Sequence, residues 1–182
     1  LRLLRSLAAT AVILLMTGVG VWVAVTRVGE ANRPTHFAQL LVSDFEHFLE
    51  GRSRLQLASA EREMVADWLR KQTSLAVVLP ASNNPQCKLL GGRKCRIAER
   101  PAAFAVYRMK GSPASLAVVA AAPGDLEGMQ EVHHQGARHW VDHRKGYTVV
   151  MCRRDGLVYA AVARLPKEEL FRLITGAVHE GD

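Results

Sequence analysis

The sequence predicts an α+β protein with one N-terminal transmembrane helix. The helix is followed by an extracytoplasmic antiparallel sheet of about six or seven strands, packed with two N-terminal helices and one C-terminal helix. Three observations predict this fold: an uncharged apolar run near the start, helical periodicity in the next part, and short β-rich runs separated by turn residues after Pro80. With 49% hydrophobic residues over 182 positions, the chain can bury one sizeable core.

The first element is a membrane span. The 20-residue segment from Leu7 to Thr26, LAATAVILLMTGVGVWVAVT, carries no charge, and ~20 helical residues cross ~30 Å of hydrocarbon. A cleaved signal peptide is the alternative, but its apolar region is usually shorter and Gly29-Glu30-Ala31 is a poor cleavage site. We therefore expect a retained anchor. The resulting division is a cytoplasmic stub at 1–6, a span at 7–26, a tether at 27–35, an exported domain at 36–176 and a tail at 177–182.

Three amphipathic helices are predicted in the exported domain. The first has Gly51 as its stop, the second follows Ser59, and the third opens at Pro166 with the sequence PKEELFRLIT. Apolar residues recur at helical spacing in each of them. In the first helix they are Phe37, Leu40, Leu41, Phe45, Phe48 and Leu49, and in the second they are Met64, Val65, Trp68 and Leu69. In the third they are Leu170, Phe171, Leu173 and Ile174.

Seven β-rich runs are predicted as strands: 87–90, 94–98, 102–109, 115–121, 139–143, 147–153 and 157–163. Short turns, including Lys110-Gly111 and Asp155-Gly156, join them. An Asp-Gly pair tolerates the positive φ values of a type I′ turn. Since hairpin links join antiparallel strands, we expect an antiparallel sheet. The segment from Pro123 to Ala137 is predicted to be a loop.

The two cysteines of CKLLGGRKC are predicted to face each other. If Leu90-Gly91-Gly92 forms the turn of a hairpin, Cys87 lies opposite Cys95, within or just beyond disulfide reach. In an oxidising compartment the pair would form a structural disulfide. Reduced structural thiols, or metal or redox chemistry, are the alternatives, and a zinc site would need two further ligands.

The third cysteine is predicted to be a core residue. Cys152 lies opposite Tyr159 if the two-residue Asp155-Gly156 turn closes the hairpin. A small buried position suits an isolated cysteine.

The net charge of +7 suggests an anionic partner. Outside a membrane that partner is lipid headgroups or an acidic protein face rather than nucleic acid. A basic cluster of Lys88, Arg93, Lys94 and Arg96 is predicted as partner surface; a solvated edge that prevents strand pairing is the alternative.

A second partner surface is predicted around His139, Trp140 and His143. Burial of Trp140 in the core is the alternative for that residue. On a strand, four residues separate the two histidines by ~13 Å, which is too far for one metal ion.

No catalytic motif is present: there is no Gly-x-Ser-x-Gly, His-Glu-x-x-His or phosphate-binding glycine loop. We therefore expect neither enzymatic activity nor a cofactor, a small-molecule substrate or a nucleic-acid partner.

The membrane span contains small residues that permit close helix packing, namely Thr10, Thr17, Gly18 and Gly20. Gly18 and Gly20 do not form a small-x-x-x-small repeat. Lateral docking against a larger membrane protein is therefore favoured over a homodimer.

Four segments resemble the extracytoplasmic half of membrane-bound bacterial anti-sigma factors: LVSDFEHFL, EREMVADWLRKQTSLAVVLP, CKLLGGRKCRIAERPAAFAVYRMKGSPASLAVV and GYTVVMCRRDGLVYAAVARLPKEELFRLI. The resemblance runs from about Leu40 to Ile174. It implies a domain linked through one membrane helix to a cytoplasmic sigma-binding region, often with a His-x-x-x-Cys-x-x-Cys element. No such element occurs in this sequence.

Two functions are therefore expected. The first is an accessory subunit of a larger bacterial membrane complex, such as a photosynthetic or respiratory assembly, held in the inner membrane with its domain in the periplasm. The second is an anti-sigma-type envelope sensor whose sigma-binding portion lies outside this sequence. The true N-terminus of the protein distinguishes the two.

Overall fold

The computed structural model of the protein describes residues 36–80 and 86–178. The predicted stub, membrane span and tether lie outside these residues, and so do Thr10, Thr17, Gly18, Gly20 and positions 179–182. Within the described part, no helix has both the length and the apolar character needed to cross a membrane.

The described chain is α+β with a seven-stranded sheet, as predicted. Its elements are α1 (His36–Leu49), α2 (Arg62–Thr73), β1 (Cys87–Ile97), β2 (Arg100–Met109), β3 (Ser112–Ala120), β4 (Gln130–His134), β5 (Ala137–Arg144), β6 (Tyr147–Arg154), β7 (Leu157–Ala163) and α3 (Lys167–Val178). All neighbouring strands are antiparallel, in the order β1-β2-β3-β7-β6-β5-β4.

The sheet consists of two meanders, β1-β2-β3 and β4-β5-β6-β7, that join where β3 pairs with β7. Two-residue turns make every hairpin link within the meanders, and both residues of each turn have positive φ, as in type I′ turns. These turns are Ala98-Glu99, Lys110-Gly111, Gln135-Gly136, Lys145-Gly146 and Asp155-Gly156. Cys152 pairs with Tyr159 and is buried, which confirms the prediction for that hairpin.

Helices cover both faces of the sheet. On one face α1 contributes Phe37, Leu41 and Phe45 to a core with alternate residues of the central strands. On the other face α2 and α3 pack over the intervening residues. The central strands β2, β3, β6 and β7 are consequently buried along most of their length, and this double coverage explains their nearly continuous apolar sequences.

The predicted helix faces need two corrections. Leu49 is 40% exposed and Met64 is 49% exposed, so neither belongs to a buried stripe. Ala38 and Val42 are buried on α1 instead. Only part of each helix surface meets the sheet, and on α1 that part includes the small residue Ala38.

The predicted CKLLGGRKC hairpin is wrong. Residues 87–97 form the single strand β1, in which Cys87 pairs with Met109 and Cys95 pairs with Ala102 at the far end of β2. No disulfide is formed among the described residues, which include all three cysteines. Eight strand positions at ~3.3 Å each hold the two thiols far beyond disulfide reach.

The Gly91-Gly92 pair serves close packing rather than a turn. The backbone of Leu57 bridges to Gly92, with Gly92 N donating to Leu57 O at 2.9 Å and Leu57 N donating to Gly92 O at 3.0 Å. A Cβ on Gly91, whose φ is +144°, would lie 2.2 Å from Leu57 O. The segment around Leu57 therefore covers this edge of the sheet, and glycine lets it approach.

Strand β4 lies in the segment that was predicted to be a loop. Its sequence, QEVHH, has one apolar residue, Val132, which is partly buried. An edge strand contacts the sheet on one side only and needs little apolar surface. The total of seven strands therefore arises because two predicted strands merge into β1 and β4 is added.

We expect Gly91→Ala to destabilise the domain more than Gly111→Ala. Both positions have positive φ, +144° and +81°, which costs an L-residue about 1–3 kcal/mol. Only the Gly91 substitution also places a methyl group against Leu57 O, since nothing lies within 4 Å of a Cβ at Gly111. Urea unfolding monitored by circular dichroism measures the difference. Equal losses for the two variants would contradict the close-approach explanation.

Candidate binding site at the open side of the sheet

The predicted basic cluster does not form one patch. Lys88, Lys94 and Arg96 are exposed on β1, but Arg93 is only 6% exposed. Its guanidinium pairs with Asp44 of α1 and lies 4.3 Å from the centre of the Phe104 ring. Arg93 is thus a core residue held by an ion pair and a cation–π contact, which corrects its assignment to a partner surface.

Strand alternation places Lys88 on the opposite face of the sheet from Lys94 and Arg96. Lys94 faces the α2 side, where its Nζ donates to Gln72 Oε1 at 3.2 Å. Arg96 forms an ion pair with Glu99 at 3.6 Å. Lys88 lies across from Arg108 on the other face. These side chains therefore do not converge on one ligand.

The predicted surface at His139, Trp140 and His143 is also divided. All three lie on β5, but His139 is only 2% exposed and so is not a surface residue. Its ring contacts Phe171 of α3 edge-on at 5.1 Å, and His134 of β4 stacks on the same ring at 4.5 Å. Trp140 points to the opposite face and is partly buried, whereas His143 is exposed.

Burial lowers the pKa of His139 below its ordinary value of 6.5. A hydrogen bond between Nδ1 and the Ala137 carbonyl oxygen, at 3.2 Å, opposes this effect, and His134 adds to it. Since a carbonyl can only accept, Nδ1 carries the proton of the neutral ring. His139 is therefore a neutral group that fastens β5 to α3.

A cleft opens where β5 separates from β6. Register pairing between these strands runs from Arg144↔Tyr147 to Trp140↔Met151 and stops there. Strand β6 stays paired with β7 as far as Arg154, and β5 stays paired with β4 as far as Ala137. The opening has a volume of about 430 Å³ and is lined by Leu126, Ala137, Arg138, His139, Trp140, Cys152, Arg153 and Thr175.

Two exposed arginines give the cleft its charge. Arg138 lies on β5 and Arg153 on β6, and neither forms an ion pair within the described ranges 36–80 and 86–178. His133 of β4 pairs with Arg138 in the register and is exposed beside it. Both arginines thus line one opening without an acidic partner among the described residues.

The cleft also holds a thiol and an imidazole, which are the components of a cysteine–histidine catalytic pair. Burial raises the pKa of Cys152 to about 12, with Arg154 opposing it, and burial lowers the pKa of His139. A nucleophilic cysteine needs the reverse, a thiolate beside a protonated imidazole. Neither shift favours the thiolate form of Cys152.

The histidines do not assemble a metal site in the described part of the chain. No group of three His, Cys, Asp or Glu side chains there converges on a point. His139 and His143 lie on one strand, as predicted, and the two rings held against Phe171 are those of His134 and His139.

Sequence reasoning missed Arg138, Arg153 and the whole of β4. One weak local signal was available: Gly136 permits the positive φ of the second position in a type I′ turn, although Gln135 is not a preferred residue for the first. The cleft has no local signal, because it depends on where two strands stop pairing.

No protein-family model matches this chain, and no curated protein shows significant similarity to it. The resemblance to anti-sigma factors therefore stays a prediction.

We expect stability to fall on acidification through His139. The unfolded chain takes up a proton near pH 6.5 while the buried ring resists it, so the free energy of unfolding decreases as pH drops from 6.5 through the folded-state pKa. Substituting His139→Asn should flatten that part of the pH profile of urea unfolding. His143→Gln, which removes an exposed histidine from the same strand, is the matched control. A His139→Asn profile as steep as that of the unsubstituted protein would refute the assignment.

Proposed function

We propose that this chain is a non-enzymatic, membrane-anchored protein-binding subunit whose folded domain holds an extended segment of a partner along β4. The partner is a subunit of a larger bacterial membrane complex, and the domain lies in the periplasm. The anchor is the uncharged run from Leu7 to Thr26.

The observation that carries this proposal is the contrast between the two edges of the sheet. Strand β1 is covered at its middle, because Leu57 bridges to Gly92 and Gln56 Oε1 accepts a hydrogen bond from Lys94 N at 2.9 Å. Strand β4 pairs only with β5, and no other described segment forms a backbone hydrogen bond with it. An open edge is the template that β-augmentation uses.

Strand β4 is held in an extended form before any partner arrives. His134 stacks on Phe171 and Val132 packs against the α2 and α3 side of the core. A preformed edge spares a binding partner the entropy cost of ordering it. Gln130, Glu131 and His133 remain exposed to select that partner by side-chain contacts.

The anti-sigma-type envelope sensor remains the second candidate. The cleft beside Arg138 and Arg153 favours it, because a sensor needs a place for a signal molecule. A cytoplasmic region with zinc-ligand spacing ahead of the membrane run would support the sensor.

Photo-crosslinking in the native membrane tests the proposal. A photoreactive residue at Glu131 or His133 of β4 is expected to give one adduct of constant mass. The same residue at Lys94 serves as the control, since the β1 edge is covered. The adduct partner should also co-purify with the full chain in detergent at fixed stoichiometry.

Two results would sink the proposal. One is isolation of the full chain from its native membrane as a lone monomer. The other is the same set of adducts from a photoreactive residue at Lys94 as from one on β4. Such a result would indicate random collisions, which label any exposed position.

A further inference from the structure

We infer that the cleft between β5 and β6 is a binding site for a small organic anion that carries a carboxylate or phosphate group. This site is distinct from the open edge of β4 and does not rest on the function proposed for that edge.

The interrupted ladder makes the site polar as well as hollow. Beyond Trp140↔Met151, residues 137–139 of β5 and 152–154 of β6 flank the opening without pairing in register. Each strand keeps its other neighbour, so the walls stay in place. Backbone groups that a continued ladder would consume are therefore available to an anionic ligand and to the water around it.

The side chains that flank the opening supply two positive charges on opposite walls. Arg138 on β5 and Arg153 on β6 lack an acidic partner among the described residues. Guanidinium groups bind carboxylate and phosphate oxygens through paired N–H donors. An anion placed between the two arginines would satisfy both and neutralise charge that the domain leaves unbalanced.

The rest of the lining suits the organic part of such a ligand. Leu126 and Trp140 provide apolar and aromatic surface, and the buried Cys152 and His139 add no charge of their own. The volume of about 430 Å³ falls within the usual range for small-molecule pockets, ~300–1,000 Å³. A bare inorganic ion would leave most of this space to water.

Occupancy would have a structural consequence. The ligand would bridge β5 and β6 where the sheet itself does not, and so restrain the β4-β5 ribbon relative to the central strands. Binding should therefore raise the thermal midpoint of the full chain by mass action.

Fluorescence of Trp140 in the full chain in neutral detergent tests the site. Substituting Trp22→Phe and Trp68→Phe leaves Trp140, in the cleft lining, as the only tryptophan of the three. The probes are benzoate, phenyl phosphate, inorganic phosphate and a short-chain anionic phospholipid below its micelle concentration. Saturable quenching is expected with the organic anions, and Arg138→Gln or Arg153→Gln should weaken it at least about tenfold.

Arg108→Gln is the matched control, because Arg108 is an exposed arginine on β2, far from the cleft in the sheet order. Unchanged affinity in that variant and loss in both cleft variants would support the site. Saturation by the phospholipid alone, with the same arginine dependence, would identify a lipid headgroup as the source of the anion. Absence of saturation with every probe, or equal loss in Arg108→Gln, would overturn the inference. Matching thermal midpoints without ligand show that the variants are folded.

Discussion

The pairing of β3 with β7 is the interaction on which the rest of the domain depends. It joins two consecutive meanders through their last strands, and its register places small residues such as Ala117 and Ala160 opposite each other. Strands at the centre of a sheet can bury both faces only if helices cover both sides. The positions of α1 on one face, and of α2 and α3 on the other, follow from that requirement.

The same pairing decides which strands become edges. Because both meanders run outward from β3 and β7, their first strands, β1 and β4, end at opposite sides of the sheet. An unpaired edge exposes backbone donors and acceptors, and proteins usually cover it. Here Leu57 covers β1, and no described segment pairs with the outer side of β4. Among the described residues, the outer side of β4 is therefore the edge with backbone groups open to a partner.

The β4-β5 ribbon carries both proposed sites for one structural reason. Its rings are fastened to α3, with His134 and His139 against Phe171, while its ladder to β6 ends at Trp140. Near the turn that joins β4 to β5, the ribbon therefore packs against α3 but no longer pairs with β6. The cleft opens because β5 separates from β6, and β4 has an open edge because it is the last strand of the sheet.

The sequence by itself determined the features that depend on neighbouring residues: the three helices, the α+β class and the Asp155-Gly156 turn that sets Cys152 opposite Tyr159. The tertiary structure decided what depends on contact with distant segments. A Gly-Gly pair suits either a turn or a close backbone contact. The contact with Leu57, a residue distant in sequence, determines that it is the latter here. In the sequence Arg93 cannot be told from its basic neighbours, because its burial depends on the ion pair with Asp44 of α1. Local conformation depends on residues that are neighbours in sequence, whereas burial and strand pairing depend on segments that are distant in sequence.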